Sequence, residues 1–192
     1  MRWKCSGKAP EANRQCANMK YILETERLIL RELTPKDSRY FYELNLSPNV
    51  IKYTGDKAFE TIMEAEKFLK KYTDYQINGF GRWAVTDKSN NEFLGWCGLK
   101  YVADLDETDI GFRFFEKHWN KGFATESAKA CIKYGFENLN LKTIIGRAMK
   151  ENVASIKVLE KLGMNYEKEF DFDEHLGLIY RIENNQAYND SI

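Results

Sequence analysis

The sequence predicts a single α+β domain (mixed α/β), with a mostly antiparallel sheet of about seven strands flanked by about four helices. Three observations predict it. The chain reads strand, two helices, three strands, helix, strand, helix, two strands. Only the strand–helix–strand unit over 108–149 requires a parallel crossover. At 192 residues and 43% hydrophobic, the chain has one domain's length and enough apolar side chains for a sizeable core.

Residues 26–33 (ERLILREL) alternate around Leu28, Leu30 and Leu33 and form the first strand. Thr34, Pro35 and Asp37 are a helix-entry signal: a cap, a proline suited to the first helical position, and an acid at the positive end. That helix runs to about Leu46 and is broken by Ser47, Pro48 and Asn49, with an irregular connection over 50–59. A second amphipathic helix spans 61–76, with Ile62, Ala65, Phe68, Leu69 and Tyr72 on one face.

Residues 82–87 and 92–101 are two antiparallel strands joined by the polar turn 88–91, and 108–115 is the next strand. A helix over 123–138 follows, with Ala124, Ala128, Cys131, Ile132 and Phe136 along one stripe. Residues 142–149 form a strand and 151–162 a short helix that ends at Gly163, a residue suited to a left-handed C-cap. Residues 164–171 and 176–182 close the fold as a hairpin. We read 1–19 as a disordered tail or an over-extended start, 20–183 as the domain, and 184–192 as a polar C-terminal tail. Met19 is a candidate true start.

Charge narrows the partners. Lys+Arg and Asp+Glu stand at 29 each, so no net positive field draws the chain to nucleic acid or an anionic membrane. No apolar run has the length of a membrane span, and no signal-peptide core is present at the start. Cys5, Cys16, Cys97 and Cys131 have no metal spacing with one another or with His118 and His175, so we expect no metal and a reduced, cytoplasmic protein.

The stretch from His118 to Glu126 draws the chemistry together. Gly122 and Ala124 sit where a strand turns into a helix. The first N–H groups of a helix lack intrahelical partners and point outward with the positive end of the dipole, so a phosphate fits there. Gly122 brings backbone close to such a ligand. A nucleoside-triphosphate loop is excluded, because the Gly-Lys-Ser/Thr ending is absent.

Four segments in order, ETERLILREL, PNVIKYTGD, IGFRFFEKHWNKGFATE and NVASIKVLEKLGM, resemble the GNAT acyltransferase superfamily. More closely, they resemble its branch of ribosomal-protein N-terminal acetyltransferases (RimJ/RimL-like). The resemblance implies a splayed pair of parallel strands at the cofactor site, and acetyl-CoA-dependent transfer to an amine. The superfamily's Gln/Arg-x-x-Gly-x-Gly/Ala loop becomes Trp119, Asn120, Lys121, Gly122, Phe123 and Ala124, with Trp119 in place of Gln/Arg. Backbone N–H groups from Lys121 to Thr125 would then cradle the pyrophosphate of CoA. The preceding strand would carry a β-bulge, and Gly111, Phe112, Arg113 and Phe114 would offer freed backbone to the pantetheine arm and the thioester oxygen.

The last helix resembles Asn-x-x-Ala-x-x-x-Tyr-x-x-x-Gly-Phe. Asn152 is implied to bind pantetheine, and is otherwise an N-cap. Leu159 replaces the tyrosine that protonates the leaving thiolate, so Ser155 is the candidate for that role, as in RimL-like relatives. Asp109, acting through a water, is the candidate base, with Glu107 second. The acceptor site is expected between 49–59, the strands at Trp83 and Trp96, and the hairpin near 170–175. Tyr53, Trp83 and Trp96 would line it, and Asp56, Asp171 and Asp173 would attract a cationic amine.

The acceptor reads as a protein N-terminus or a small-molecule amine, and the chain as a monomer or homodimer. No His is placed to partner Cys97 or Cys131, so direct attack is favoured over a thiol intermediate. The alternative is a non-catalytic acyl-CoA sensor with the same fold.

Overall fold

The computed structural model describes residues 21–172 and 175–184. The expected N-terminal tail with Met19, Asp173, and the expected C-terminal tail beyond Asn184 lie outside the described residues. Eight strands among the described residues form one sheet: β1 (Tyr21–Glu24), β2 (Leu28–Glu32), β3 (Arg82–Asp87), β4 (Phe93–Val102), β5 (Glu107–Phe114), β6 (Thr143–Met149), β7 (Asn165–Phe172) and β8 (His175–Glu183). Their spatial order is β1-β2-β3-β4-β5-β6-β8-β7. Every neighbouring pair is antiparallel except β5–β6. The fold class is therefore as expected, with one strand more: β1 is a short edge strand that pairs with β2.

Helices α1 (Ser38–Leu46), α2 (Pro48–Ile51), α3 (Ile62–Lys70) and α4 (Asp74–Ile77) fall between β2 and β3. Helix α5 (Phe123–Glu137) joins β5 to β6, and α6 (Val153–Lys161) joins β6 to β7. The expected helix over 61–76 is thus two pieces. The reason lies in two tyrosines. The Tyr72 hydroxyl accepts from Arg82 N at 2.7 Å, and the Tyr75 hydroxyl accepts from Leu33 N at 3.0 Å while donating to Arg82 O. These bonds pin the chain to the start of β3. The connection after Leu46 also holds an unexpected helical turn, α2, which starts on Pro48, where the missing N–H costs nothing.

The two faces of the sheet are covered differently. Leu28, Leu30, Val85, Cys97, Leu99, Ile110 and Ile144 point to one face and bury Ala128, Cys131, Ile132 and Phe136 of α5 in the main core. Burying each leucine or isoleucine is worth about 1.5–3 kcal/mol over leaving it in water. On the other face Leu33, Ala84 and Phe93 meet Phe41 of α1 and Leu69 of α3 in a smaller cluster. The arginine-bearing positions of the central strands share this second face. Helix α6 ends as expected: Gly163 is left-handed (φ +78°), and Met164 N reaches Leu159 O at 3.2 Å, which satisfies the last carbonyls.

Candidate active site

The site begins where β5 and β6 part. They pair only at Asp109↔Ile145 and Ile110↔Gly146. Beyond that point β6 stays with β8, from Thr143↔Glu183 to Met149↔Gly177, while β5 stays with β4 as far as Gly95↔Phe114. Gly111, Phe112, Arg113 and Phe114 therefore have no strand partner on the β6 side. The expected splay is present. The expected bulge in β5 is not: its register with β4 runs without a shift, and the irregularity lies one strand away, between Val85 and Thr86 in the β3–β4 pairing. Helix α6 sits on the gap, with Leu159 packed so closely on Gly146 that a Cβ there would lie 2.6 Å from Leu159 Cδ2. Leu159 is thus a core residue at 2% exposure.

From Phe114 the chain turns through a 3₁₀ turn, Glu116–His118, into the glycine loop. The Trp119 indole donates to Phe114 O at 2.8 Å and ties the loop to the strand end. Asn120 (φ +60°) and Gly122 (φ +82°) are both left-handed. Asparagine tolerates that region and glycine adopts it without strain. The first backbone bond of α5 runs from Glu126 N to Gly122 O at 2.9 Å. Among the described residues, the N–H groups of Phe123, Ala124 and Thr125 have no hydrogen-bond partner. Phe123's ring packs into the core, Lys121 and Asn120 are exposed, and Ala124 and Thr125 are half-buried.

Arg27, which sequence reasoning missed, closes over this loop. Its guanidinium lies 4.6 Å from the Phe123 ring centroid, and its Nη1 donates to Lys121 O at 3.1 Å. It also pairs with Glu126. The only sequence signal was an acid, Glu126, in the first turn of α5.

Across the split, Asn152 caps α6: its Oδ1 accepts from Ser155 N at 3.1 Å. Ser155 is half-buried in the first turn of that helix.

Asp109 lies at the base of the split, 4% exposed. Its Oδ2 is 2.5 Å from Arg82 Nη2, and Arg82 Nη1 also donates to Asp109 O at 3.0 Å. Its Oδ1 is buried without a hydrogen-bond partner, 3.6 Å from Arg147 Nε, which is likewise buried and unpartnered. Glu107, the second candidate base, lies two residues further from the split. It is held by Arg181 at 2.7 Å and accepts from Thr143 Oγ1 at 3.3 Å.

The expected acceptor lining needs correction. Trp83 is 1% exposed and meets Tyr134 of α5 edge-on at 5.5 Å, so it belongs to the main core and lines no open surface. Its neighbour Ala84 pairs with Trp96, which puts Trp96 on the opposite face. There Trp96 lies between Arg82 and Arg113, whose guanidinium carbons are 5.4 and 5.3 Å from its ring. Tyr53 is half-buried beyond α2, with Lys52 Nζ 4.9 Å from its ring centroid. Asp56 is not free to draw in a cation, since it pairs with Arg113 at 2.5 Å. Cys97 and Cys131 face each other at 3.7 Å, fully buried on the core side.

A split parallel pair feeding a glycine-capped helix is the arrangement that the GNAT resemblance implies. The acetyltransferase (GNAT) domain family matches residues 27–165, and the chain belongs to that family. An N-acetyltransferase of Bacillus licheniformis, p20, is 32% identical over 147 residues, covering 76% of this chain and 83% of its own. The spermidine N(1)-acetyltransferase of Escherichia coli is 26% identical over 161 residues, covering 79% and 80%. A GNAT-family acetyltransferase of Bacillus anthracis superposes with a TM-score of 0.75 at 29% identity, covering 85% of this chain and 98% of its own. The chain is an N-acetyltransferase, and its family uses acetyl-CoA.

Proposed function

We propose that this enzyme moves the acetyl group of acetyl-CoA to a primary amine, either a protein N-terminal α-amine or a small-molecule amine, by direct attack in a ternary complex. The observation that carries the reading is a pair of open backbone stretches: Gly111–Phe114 on the side of β5 that faces β6, and the N–H groups of Phe123–Thr125 at the helix start. A ligand with an amide-bearing arm and a pyrophosphate at its far end fits both halves. When bound, acetyl-CoA supplies an activated thioester. The free backbone of β5 then offers a donor to the thioester oxygen, an interaction worth about 2.7–4 kcal/mol in enzymes where such a donor has been removed.

Asp109 presents Oδ1, its one unpartnered oxygen, to the incoming amine or to a water between them. In this reading Ser155, in the first turn of α6 across the split, donates to the departing sulfur. Asn152 holds that turn in position. Trp96 and Tyr53 remain the proposed acceptor lining. Resemblance to the RimJ/RimL-like branch rests on the four sequence segments, and we place the enzyme in the cytoplasm as a monomer or homodimer. No described helix is long and apolar enough to cross a membrane. A non-catalytic sensor gains no support from relatives that carry transferase names.

Initial rates of CoA release with both substrates varied test the reading. Direct attack gives intersecting double-reciprocal lines, with Ser155→Ala lowering kcat at little change in KM. Parallel lines and acetyl retained on the protein would contradict it.

A further inference from the structure

Five arginines share the sheet face below α1 and α3, and four of them have a carboxylate within 2.7 Å. Arg31 meets Asp37 at 2.7 Å, Arg82 meets Asp109 at 2.5 Å, Arg113 meets Asp56 at 2.5 Å, and Arg181 meets Glu107 at 2.7 Å. The fifth is Arg147. Among the described residues it is the only arginine whose side chain makes no hydrogen bond, and Asp109 Oδ1 lies 3.6 Å from its Nε. Two guanidiniums, Arg82 and Arg147, thus flank one carboxylate, Asp109, which hydrogen-bonds to Arg82 alone. The Arg147 side chain is only 27% exposed, and its Nε is fully buried. A half-buried guanidinium that makes no hydrogen bond is costly, and a bound carboxylate that accepts from it relieves that cost.

The anion is not the cofactor's phosphate. In parallel register Arg147 stands level with Gly111, one residue past the last β5–β6 pair. Gly111 lies three residues, or about 10 Å at about 3.3 Å each, before Phe114, and the glycine loop begins only beyond that strand end. The thioester itself carries no charge. The anion therefore belongs to the acceptor.

The two orphaned atoms make the class more specific. Asp109 Oδ1 is a buried acceptor lacking a hydrogen-bond donor, Arg147 Nε is a buried donor lacking an acceptor, and they lie 3.6 Å apart at the base of the split. Resting on the transferase reading above, we infer that the acceptor is a free α-amino acid, with its amine on Asp109 Oδ1 and its carboxylate on the Arg147 guanidinium. An α-amino acid carries these two groups on one carbon. A protein N-terminus has an amide at that place, and a polyamine has only cations.

The amine nitrogen bonds to the thioester carbonyl carbon as the carbon–sulfur bond breaks. The nitrogen gives up one proton toward Asp109, and the released thiolate gains one, so the products are an N-acetyl amino acid and CoA.

The test begins with calorimetric binding of acetyl-CoA to the whole chain. CoA release is then followed with four pairs of acceptors: leucine, methionine, phenylalanine and lysine, each against its α-amide. The amides have the less basic amines, so intrinsic reactivity at neutral pH works against the expected result. We expect kcat/KM for at least one amino acid to exceed that of its amide by about tenfold or more, the equivalent of a single charge-assisted contact. Arg147→Gln should erase that preference through KM, Arg147→Lys should restore part of it, and both should bind acetyl-CoA like wild type and keep its Tm. Amides used as well as amino acids, no use of either, or loss of acetyl-CoA binding in Arg147→Gln would each overturn the inference. Failure of the wild-type protein to bind acetyl-CoA would instead overturn the transferase reading and this inference with it.

Discussion

Glu126 and Arg27, 99 residues apart in sequence, join the turn between β1 and β2 to the start of α5. Glu126 Oε1 accepts from Arg27 N at 3.0 Å and from Thr25 Oγ1 at 2.6 Å, and Oε2 accepts from Arg27 Nε at 2.7 Å. The same guanidinium lies over Phe123 and reaches Lys121 O. The loop proposed to hold phosphate is therefore braced from outside the unit that contains it. Arg27→Ala should weaken acetyl-CoA binding by about tenfold, through loss of the brace and of a cation beside the helix start. It should cost little in Tm, because Arg27 is well exposed. Calorimetry and a thermal melt of one sample check both.

The pair also sets an acid dependence. Burial acts to raise the Glu126 pKa, but hydrogen bonds from Thr25 and Arg27 prevail and hold it below the usual carboxylate value. A lowered carboxylate stabilises the fold above its unfolded pKa of about 4.3 and loses that contribution as pH falls through the folded value. Glu126→Gln should therefore lower Tm at pH 7 and show a shallower decline than wild type below about pH 4.3. Melts across that range that run parallel for the two proteins would remove Glu126 as the cause.

Asp109 combines a proposed catalytic role with a structural one. Asp109→Asn leaves Arg82 buried without its counter-charge, a loss of about 3–5 kcal/mol for a pair of this kind. At about 2–4 °C per kcal/mol, Tm should fall by about 6–20 °C. If the variant melts like wild type yet loses activity, the chemical role stands alone.

Asn152 likewise has a cap role that must be separated from any contact with pantetheine. Asn152→Ala should cost about 1 kcal/mol, while Asn152→Ser, which still caps, should restore most of that stability. Acetyl-CoA affinity that stays low in the serine variant marks a direct contact. Affinity that returns with stability marks a cap alone.

Much of the fold was legible because its signals are local. Gly163 is left-handed where helix-end chemistry expects it, and the strands fall within a residue or two of their alternating runs. What escaped depends on register and distance. Trp83 and Trp96 look alike in sequence, but the pairing Ala84↔Trp96 puts them on opposite faces, one in the core and one between arginines. Only the settled sheet reveals that parity. The Arg82–Asp109–Arg147 group draws on three strands, and its meaning lies in which oxygen and which nitrogen remain unpartnered. Composition carries no trace of that.

The central claim is that the glycine loop and the split hold acetyl-CoA, and calorimetric titration of wild type beside Gly122→Glu tests it most directly. The substitution puts bulk and negative charge against the free N–H groups of α5. It also strains a left-handed position by about 1–3 kcal/mol, so a melt must show the variant folded. Wild type should bind with micromolar affinity and the folded variant not at all. A folded wild-type protein that does not bind, or a variant that binds equally well, would contradict it.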